Sequence, residues 1–175
     1  MSTSSQPNYD LSRRIDARVA KVISDWNLTG ELFVFDSSTA SASDAARTLS
    51  VEVAQIGKSI AFRGDDSFIV VLIAGSLRVD KGKLRIASNS KRMASIDGDA
   101  LELGLGYKPG GLSPLYLPEG ARLFVDKSVE DFETVYVSAG TSNSVVALSK
   151  GMRERIFGRD RFDLSVEVAK GMEDS

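Results

Sequence analysis

The side chains able to do chemistry in this chain are few in kind: lysine, carboxylates and hydroxyls, besides the backbone amides. Histidine and cysteine are both absent. That excludes Ser-His-Asp triads, cysteine nucleophiles, zinc–thiolate sites and disulfides, and removes the commonest general base and metal ligand. Two stretches stand out against this background. In Gln55-Ile56-Gly57-Lys58-Ser59-Ile60-Ala61-Phe62, Lys58 is a cation inside an alternating apolar pattern. In Gly106-Tyr107-Lys108-Pro109-Gly110-Gly111-Leu112-Ser113-Pro114, three glycines and two prolines fall within nine residues. Neither a helix nor a central strand runs through such a segment. Proline fixes its shape, and glycine lets other atoms approach its backbone N–H groups. A lysine can hold an anion or a polarised carbonyl, and rigid backbone amides can stabilise an oxyanion. Each stretch also has a purely structural reading: a lysine that snorkels from a strand start to water, and a stiff connector.

Other motifs fail on spacing. Gly104-x-Gly106 opens like a dinucleotide fingerprint, but Pro109 stands where the third glycine is required. Gly106 to Gly111 has phosphate-loop spacing, with Leu112 in place of the lysine. Asp65/Asp66 and Asp97/Asp99 sit in turn and cap settings, and no metal site is expected. Tyr107, Tyr116 and Tyr136 do not alternate with basic residues as a base-stacking platform would. Ser113 has no visible base beside it, which disfavours it as a covalent nucleophile. Residues 78–92 carry Arg78, Lys81, Lys83, Arg85, Lys91 and Arg92 against the single acid Asp80. That run reads either as a solvated helix and turn or as a local contact to a phosphate backbone.

The elements that must position these residues follow from periodicity. The 175 residues fit one domain, and an apolar content of 42% with a mean hydropathy of -0.08 is ordinary for a soluble globular chain. The net charge of -2 does not suggest a strongly basic nucleic-acid binder. No apolar run approaches the roughly 20 residues of a membrane span, and the polar start lacks a signal-peptide core, so the expected location is the cytoplasm. Leu11, Ile15, Val19, Val22 and Ile23 predict a helix capped by Asp10 or Ser12 and ending by Trp26 to Gly30. Strands are expected over 31–35 and 55–62, then over 68–74, whose continuous β-branched run predicts burial on both faces. In the 55–62 strand, Ile56, Lys58, Ile60 and Phe62 share one face, and Gly57, Ser59 and Ala61 the other. A helix capped by Ser43 or Asp44 precedes that strand. A short strand is expected over 92–95, then a helix capped by Asp97 that stops at Gly104 or Gly106. Strands follow over 121–126, 134–138 and 145–148, and Ser149 caps a last helix. Residues 158–175 are charged and read as peripheral. The organisation expected is a tail and packed helix over 1–30, a domain over 31–165, and a tail over 166–175.

Taken together, QIGKSIAF (55–62), IAGSLRVD (73–80), GYKPGGLSP (106–114), FVDKS (124–128) and VYVSAG (135–140) resemble the YbaK/EbsC family. Its members are free-standing relatives of the prolyl-tRNA synthetase editing domain. The resemblance spans roughly 33–164 and includes the small-residue helix start at 41–46. It implies an α/β fold with a mixed, partly barrel-like β-sheet flanked by helices. It also implies a trans-acting aminoacyl-tRNA deacylase that hydrolyses the ester of a mischarged tRNA without a cofactor. By position, Lys58 matches the family's functional lysine. Gly110 and Pro114 match the ends of its GxxxP loop, with Gly111, Leu112 and Ser113 inside, and Gly140 matches the glycine after the late strand. The site so implied places Lys58, Gly110, Gly111 and Ser113 in catalysis. Tyr107, Leu112, Pro114, Ser138, Gly140 and Phe35 would bind substrate, and Arg78, Lys81 and Lys83 would bind tRNA. Partners implied are mischarged tRNA and a prolyl-tRNA synthetase, for a monomer or homodimer. Members often carry His near Asp36 and a polar or acidic residue near Val145, where this chain departs. The other reading is a non-catalytic binder of tRNA ends, aminoacyl derivatives or a synthetase.

Overall fold

The structure, a computed structural model, describes residues 15–168. The expected tail at 1–7, the caps at Asp10 or Ser12, Leu11 and the stretch 169–175 lie outside the described residues.

The fold is built around β3 (Phe68–Ala74), in which Ile69, Val70, Val71, Leu72 and Ile73 are all fully buried. Because side chains alternate along a strand, Val70 and Leu72 enter one core while Ile69, Val71 and Ile73 enter another. A hairpin joins β3 to β2 (Ile56–Arg63) in antiparallel register from Gly57↔Ala74 to Arg63↔Phe68. On the far side, β6 (Arg122–Val125) runs parallel to β3. Three further strands continue the sheet beyond β2: β7 (Thr134–Ser138), β8 (Ser144–Ser149) and β1 (Leu32–Val34). The strand order is β1-β8-β7-β2-β3-β6, with β5 (Ala94–Ser95) pairing the end of β2. This mixed α/β architecture is the one expected. The path has two ends among the described residues, so the barrel-like part of the expectation gives way to an open sheet.

One irregularity matters for function. On the edge of β2 away from β3, β7 pairs in parallel only at Ile56 and Gly57, and β5 pairs only at Phe62 and Arg63. Between these two short ladders, residues 58–60 have no strand partner on that edge among the described residues.

The helices cover both faces. Helix α1 (Ala17–Asp25) sends Val19 and Ile23 into the first core, beside Leu101 and Leu105 of α4 (Gly98–Leu105). Helix α3 (Lys81–Ser88) seals the second core with Leu84, and α2 (Ala42–Leu49) packs Ala45 and Ala46 on Ile56. The caps refine the sequence reading. Asp16 caps α1, accepting from Arg18 N and Val19 N. Ser41, not Ser43 or Asp44, caps α2, because its Oγ accepts from Asp44 N and leaves Asp44 in the first turn. Ser149 caps α5 (Lys150–Phe157) as expected.

The segment after α5 is not peripheral. Phe162 bridges Asp126, Leu164 is fully buried, and β9 (Ser165–Glu167) pairs β4 (Leu77–Val79). Its charges hid an alternating Phe162, Leu164 pattern, and those charges are paired: Asp163 with Lys83 and Lys127, Arg161 with Glu130. A boundary at 165/166 would cut β9. No helix among the described residues is long and apolar enough to cross a membrane.

Candidate functional site

The parting of β7 from β2 opens a cavity of about 420 Å³. Its back is the edge of β2, from Gly57 to Ala61, and because it wraps an unpaired edge it takes side chains from both faces of the strand. Lys58 and Ile60 reach it from one face, Ser59 from the other. The Ser59 Oγ is buried and has no hydrogen-bond partner among the described residues. A buried hydroxyl left unmatched is costly, so its place is explained if a ligand completes it.

Three walls face this edge. The first is Thr39 to Ala42, leading into the N-terminus of α2. Thr39 is buried, and its hydroxyl donates to Ser142 O at 3.1 Å. The second is the glycine-proline loop. Lys108 to Gly111 form a turn closed by Gly111 N–H donating to Lys108 O at 3.0 Å, with Pro109 second and Gly110 third. Gly110 has φ +79, as the third residue of a type II turn requires. Any side chain there would also strike Ala40, since a Cβ would lie 2.7 Å from Ala40 Cβ. The loop therefore leans directly on the first wall. Gly111 N–H is used by the turn, while the amides of Gly110 and Leu112 make no backbone hydrogen bond among the described residues. The third wall is the β7–β8 turn with Ser138, Thr141, Ser144 and Val145. Asp97 lies at the exposed rim, so the charged groups lining the cavity are Lys58 and Asp97.

Of the residues expected at the site, Lys58, Gly110, Leu112 and Ser138 come together around this cavity. Gly111, Ser113, Pro114, Tyr107, Gly140 and Phe35 do not line it. Gly111 packs behind it, close to the Gly140 carbonyl. Ser113 is fully buried: its Oγ donates to Ser138 O at 2.6 Å and accepts from Leu115 N at 3.3 Å. It thus ties the second wall to the third. Pro114 is buried beside it. Tyr107 is buried with its hydroxyl donating to Tyr116 O at 2.7 Å, and burial pushes its pKa up, so it is a neutral anchor. Gly140, at φ +99, has its Cα against Asp16. Phe35 pairs its backbone with Asn143.

Sequence reasoning missed Ser59, Thr39, Thr141 and Ser144 as lining groups. Their hydroxyls carry no spacing signal, because they converge only when the sheet parts. Of the two family departures, Val145 lines the cavity and Asp36 does not.

A second cavity, of about 520 Å³, lies beside the first. Lys58, Arg78 and Lys81 line it with Ile60, Phe62, Val79 and Val166, and Lys58 and Ile60 border both cavities. Lys83 is elsewhere: its Nζ donates to Asp163 Oδ1 at 3.1 Å and Ser165 O at 2.9 Å, pinning β9 to α3. That contact also holds the Asp163 carboxyl below its usual range.

A family model for the aminoacyl-tRNA editing domain matches residues 36–154, which include β2, all three walls and the basic segment. The chain belongs to the aminoacyl-tRNA editing domain family. The editing domain is 30% identical over 141 residues to YwhH of Bacillus subtilis, covering 79% of this chain and 89% of that protein. It is 26% identical over 118 residues to EbsC of Enterococcus faecalis, a proposed Cys-tRNA(Pro)/Cys-tRNA(Cys) deacylase, covering 67% of this chain and 72% of that protein. A crystal structure of a proposed trans-editing enzyme for prolyl-tRNA synthetase shares the fold, with a TM-score of 0.76 at 21% identity, over 85% of this chain and 95% of that one. The editing-domain match leaves out α1, which sends Val19 and Ile23 into the main core, and β9, which pairs β4.

Proposed function

We propose that this editing domain hydrolyses the ester linking a wrongly attached amino acid to the 3′ end of a tRNA, acting in trans. The observation that carries the reading is the cavity at the parted edge of β2. There Lys58, the unmatched Ser59 hydroxyl and the Gly110–Leu112 loop meet in a site without histidine or cysteine.

The chemistry suits that set. An aminoacyl ester is already activated, and its vicinal ribose hydroxyl can assist. Water adds to the carbonyl carbon, the acyl C–O bond breaks, and the products are a free amino acid and a tRNA with its 3′ hydroxyl restored. The protein must place the ester and stabilise the oxyanion. The loop amides serve the oxyanion, one such donor being worth about 10²–10³ in rate in well-studied hydrolases. Lys58 holds the terminal phosphate or the polarised carbonyl. The lining joins Ala40, Ala42 and Ala45 and several hydroxyl residues to apolar groups such as Leu112 and Val145, which fits an uncharged amino acid. Arg78 and Lys81, which line the neighbouring cavity with Lys58, would supply positive charge to the preceding phosphates of the acceptor end. A prolyl-tRNA synthetase is the partner whose errors would supply the substrate, in the cytoplasm.

The second reading, a binder without turnover, draws on Val145, an apolar group in the cavity where family members often carry a polar or acidic one. One experiment separates the two: release of amino acid from tRNAs charged with Ala, Cys, Ser or Thr. Turnover on at least one substrate, abolished by Lys58→Ala with the circular dichroism spectrum unchanged, is the expected result. Affinity without release by the natural protein would favour the binder, and a Lys58→Ala variant at full rate would remove Lys58 from the mechanism.

A further inference from the structure

Helix α1 lies outside the residues that match the editing-domain family, yet it touches the loops behind two of the cavity's walls. The contact runs through two residues. Arg18 reaches the start of the glycine-proline loop: its Nη2 donates to Gly106 O at 2.8 Å and its Nη1 to Leu105 O at 3.4 Å. The same guanidinium lies 4.5 Å from the centroid of the Tyr107 ring and 5.2 Å from that of Tyr116. Asp16 aims it, accepting from Arg18 Nε at 3.0 Å and Nη2 at 2.9 Å. Asp16 in turn abuts Gly140, where an added Cβ would lie 2.3 Å from Asp16 Cβ.

Each contact sits a few residues from lining groups. From Gly106 and Tyr107 the chain passes directly into Pro109, Gly110 and Leu112. Gly140 lies between Ser138 and Thr141, both of which face the cavity. One ion pair, anchored to a helix whose Val19 and Ile23 are buried in the main core, therefore touches both walls from behind.

We propose that the Asp16–Arg18 pair is a brace that fixes the separation of the glycine-proline loop and the β7–β8 turn, and that Arg18 is a positioning residue for the hydrolysis. This rests on the deacylase reading for its kinetic part. Arg18 touches no reacting atom. It acts through a planar fork that bonds two carbonyls and one carboxylate while stacking on an aromatic ring, a combination that lysine cannot reproduce. An error of about 1 Å in such a site can cost on the order of 10²-fold in rate.

The test uses the full chain with Arg18→Ala and Arg18→Lys, measured in two ways. Steady-state deacylation should show kcat lowered about tenfold or more in both variants, with KM changed by less than about twofold. Hydrogen exchange should speed up at the amides of residues 107–112 and stay as in the natural protein along β3. Unchanged kcat, full activity in Arg18→Lys, or equal acceleration along β3 would each overturn the brace, the last by reducing it to general stability. If the natural protein released no amino acid, the enzymatic reading would fall. The exchange comparison would still decide the brace: loosening confined to 107–112 supports it, and none overturns it.

Discussion

Ser113 shows how residue identity and residue role can separate. It occupies the chain's most chemically suggestive loop, but its hydroxyl is buried and bonded to Ser138 O and Leu115 N. Its part is to join two walls. Ser113→Ala is therefore expected to cost about 1 kcal/mol of stability, the net worth of an ordinary buried hydrogen bond, read from the denaturant midpoint. Hydrolysis should persist within a few-fold, and a loss comparable to that of Lys58→Ala would return Ser113 to the chemistry. Lys58 was legible because a cation in an apolar alternation is an anomaly within eight residues of sequence. Ser59 was not, since a serine among small residues is ordinary until the fold buries its hydroxyl without a partner among the described residues. Asp16 was equally hidden: its carboxyl is held below the usual range chiefly by hydrogen bonding from Arg18, a relation visible only once the helix had its cap.

At the scale of elements, the basic segment divides into parts with different tasks. Arg78 in β4 and Lys81 at the start of α3 line the cavity beside Lys58, whereas Lys83 is tied to Asp163 and Ser165. Neutralising Arg78 and Lys81 together should weaken tRNA binding and flatten its salt dependence. The log–log slope should fall by roughly 0.7 to 0.9 for each phosphate that is no longer neutralised. Lys83→Ala should leave the slope alone and instead loosen β9, as limited proteolysis near residues 163–168 would report. The same slope change for Lys83→Ala as for Lys81→Ala would contradict this division. The sequence showed one run of positive charge. That Lys83 is tied down depended on a segment 80 residues further on, whose pairing no local pattern announces. The Ser149 cap was easier to read, because it acts within one turn of its own position, whereas the caps of α1 and α2 fall on Asp16 and Ser41 instead of the residues expected.

Across the whole molecule, the buried run of β3 and the hairpin to β2 were readable from hydrophobic patterning and turn chemistry. The parallel pairings were not: β2 with β7 and β3 with β6 join segments far apart in sequence, and their register is set by packing. The closing segment reads as peripheral for a related reason, its charges being paired within the fold. Arg153, in the helix that precedes this segment, is engaged within the fold in the same way. Fully buried in α5, it donates to the carbonyls of Phe132, Glu133 and Leu148, with Glu130 3.9 Å from its Nε. Burial pulls its pKa down, but three carbonyl partners still need its donors. Arg153→Ala should therefore lower unfolding stability by about 3–5 kcal/mol, measurable in chemical denaturation. A loss under about 1 kcal/mol would mean that solvent replaces those donors.

The interrupted ladder of β2 has a consequence beyond making room. Main-chain groups point alternately to the two edges of a strand: Ile56 O accepts from Gly75 N on the β3 side and Ala61 O from Ile96 N on the other. Between the two short ladders it is therefore the N–H and C=O of Ser59 that turn to the parted edge, and buried main-chain polar groups seek a partner. A polar group of a bound molecule could complete both, on a strand that β3 holds along its other edge. The interruption thereby turns one amide and one carbonyl of β2 toward the cavity, on the same residue whose hydroxyl is unmatched among the described residues.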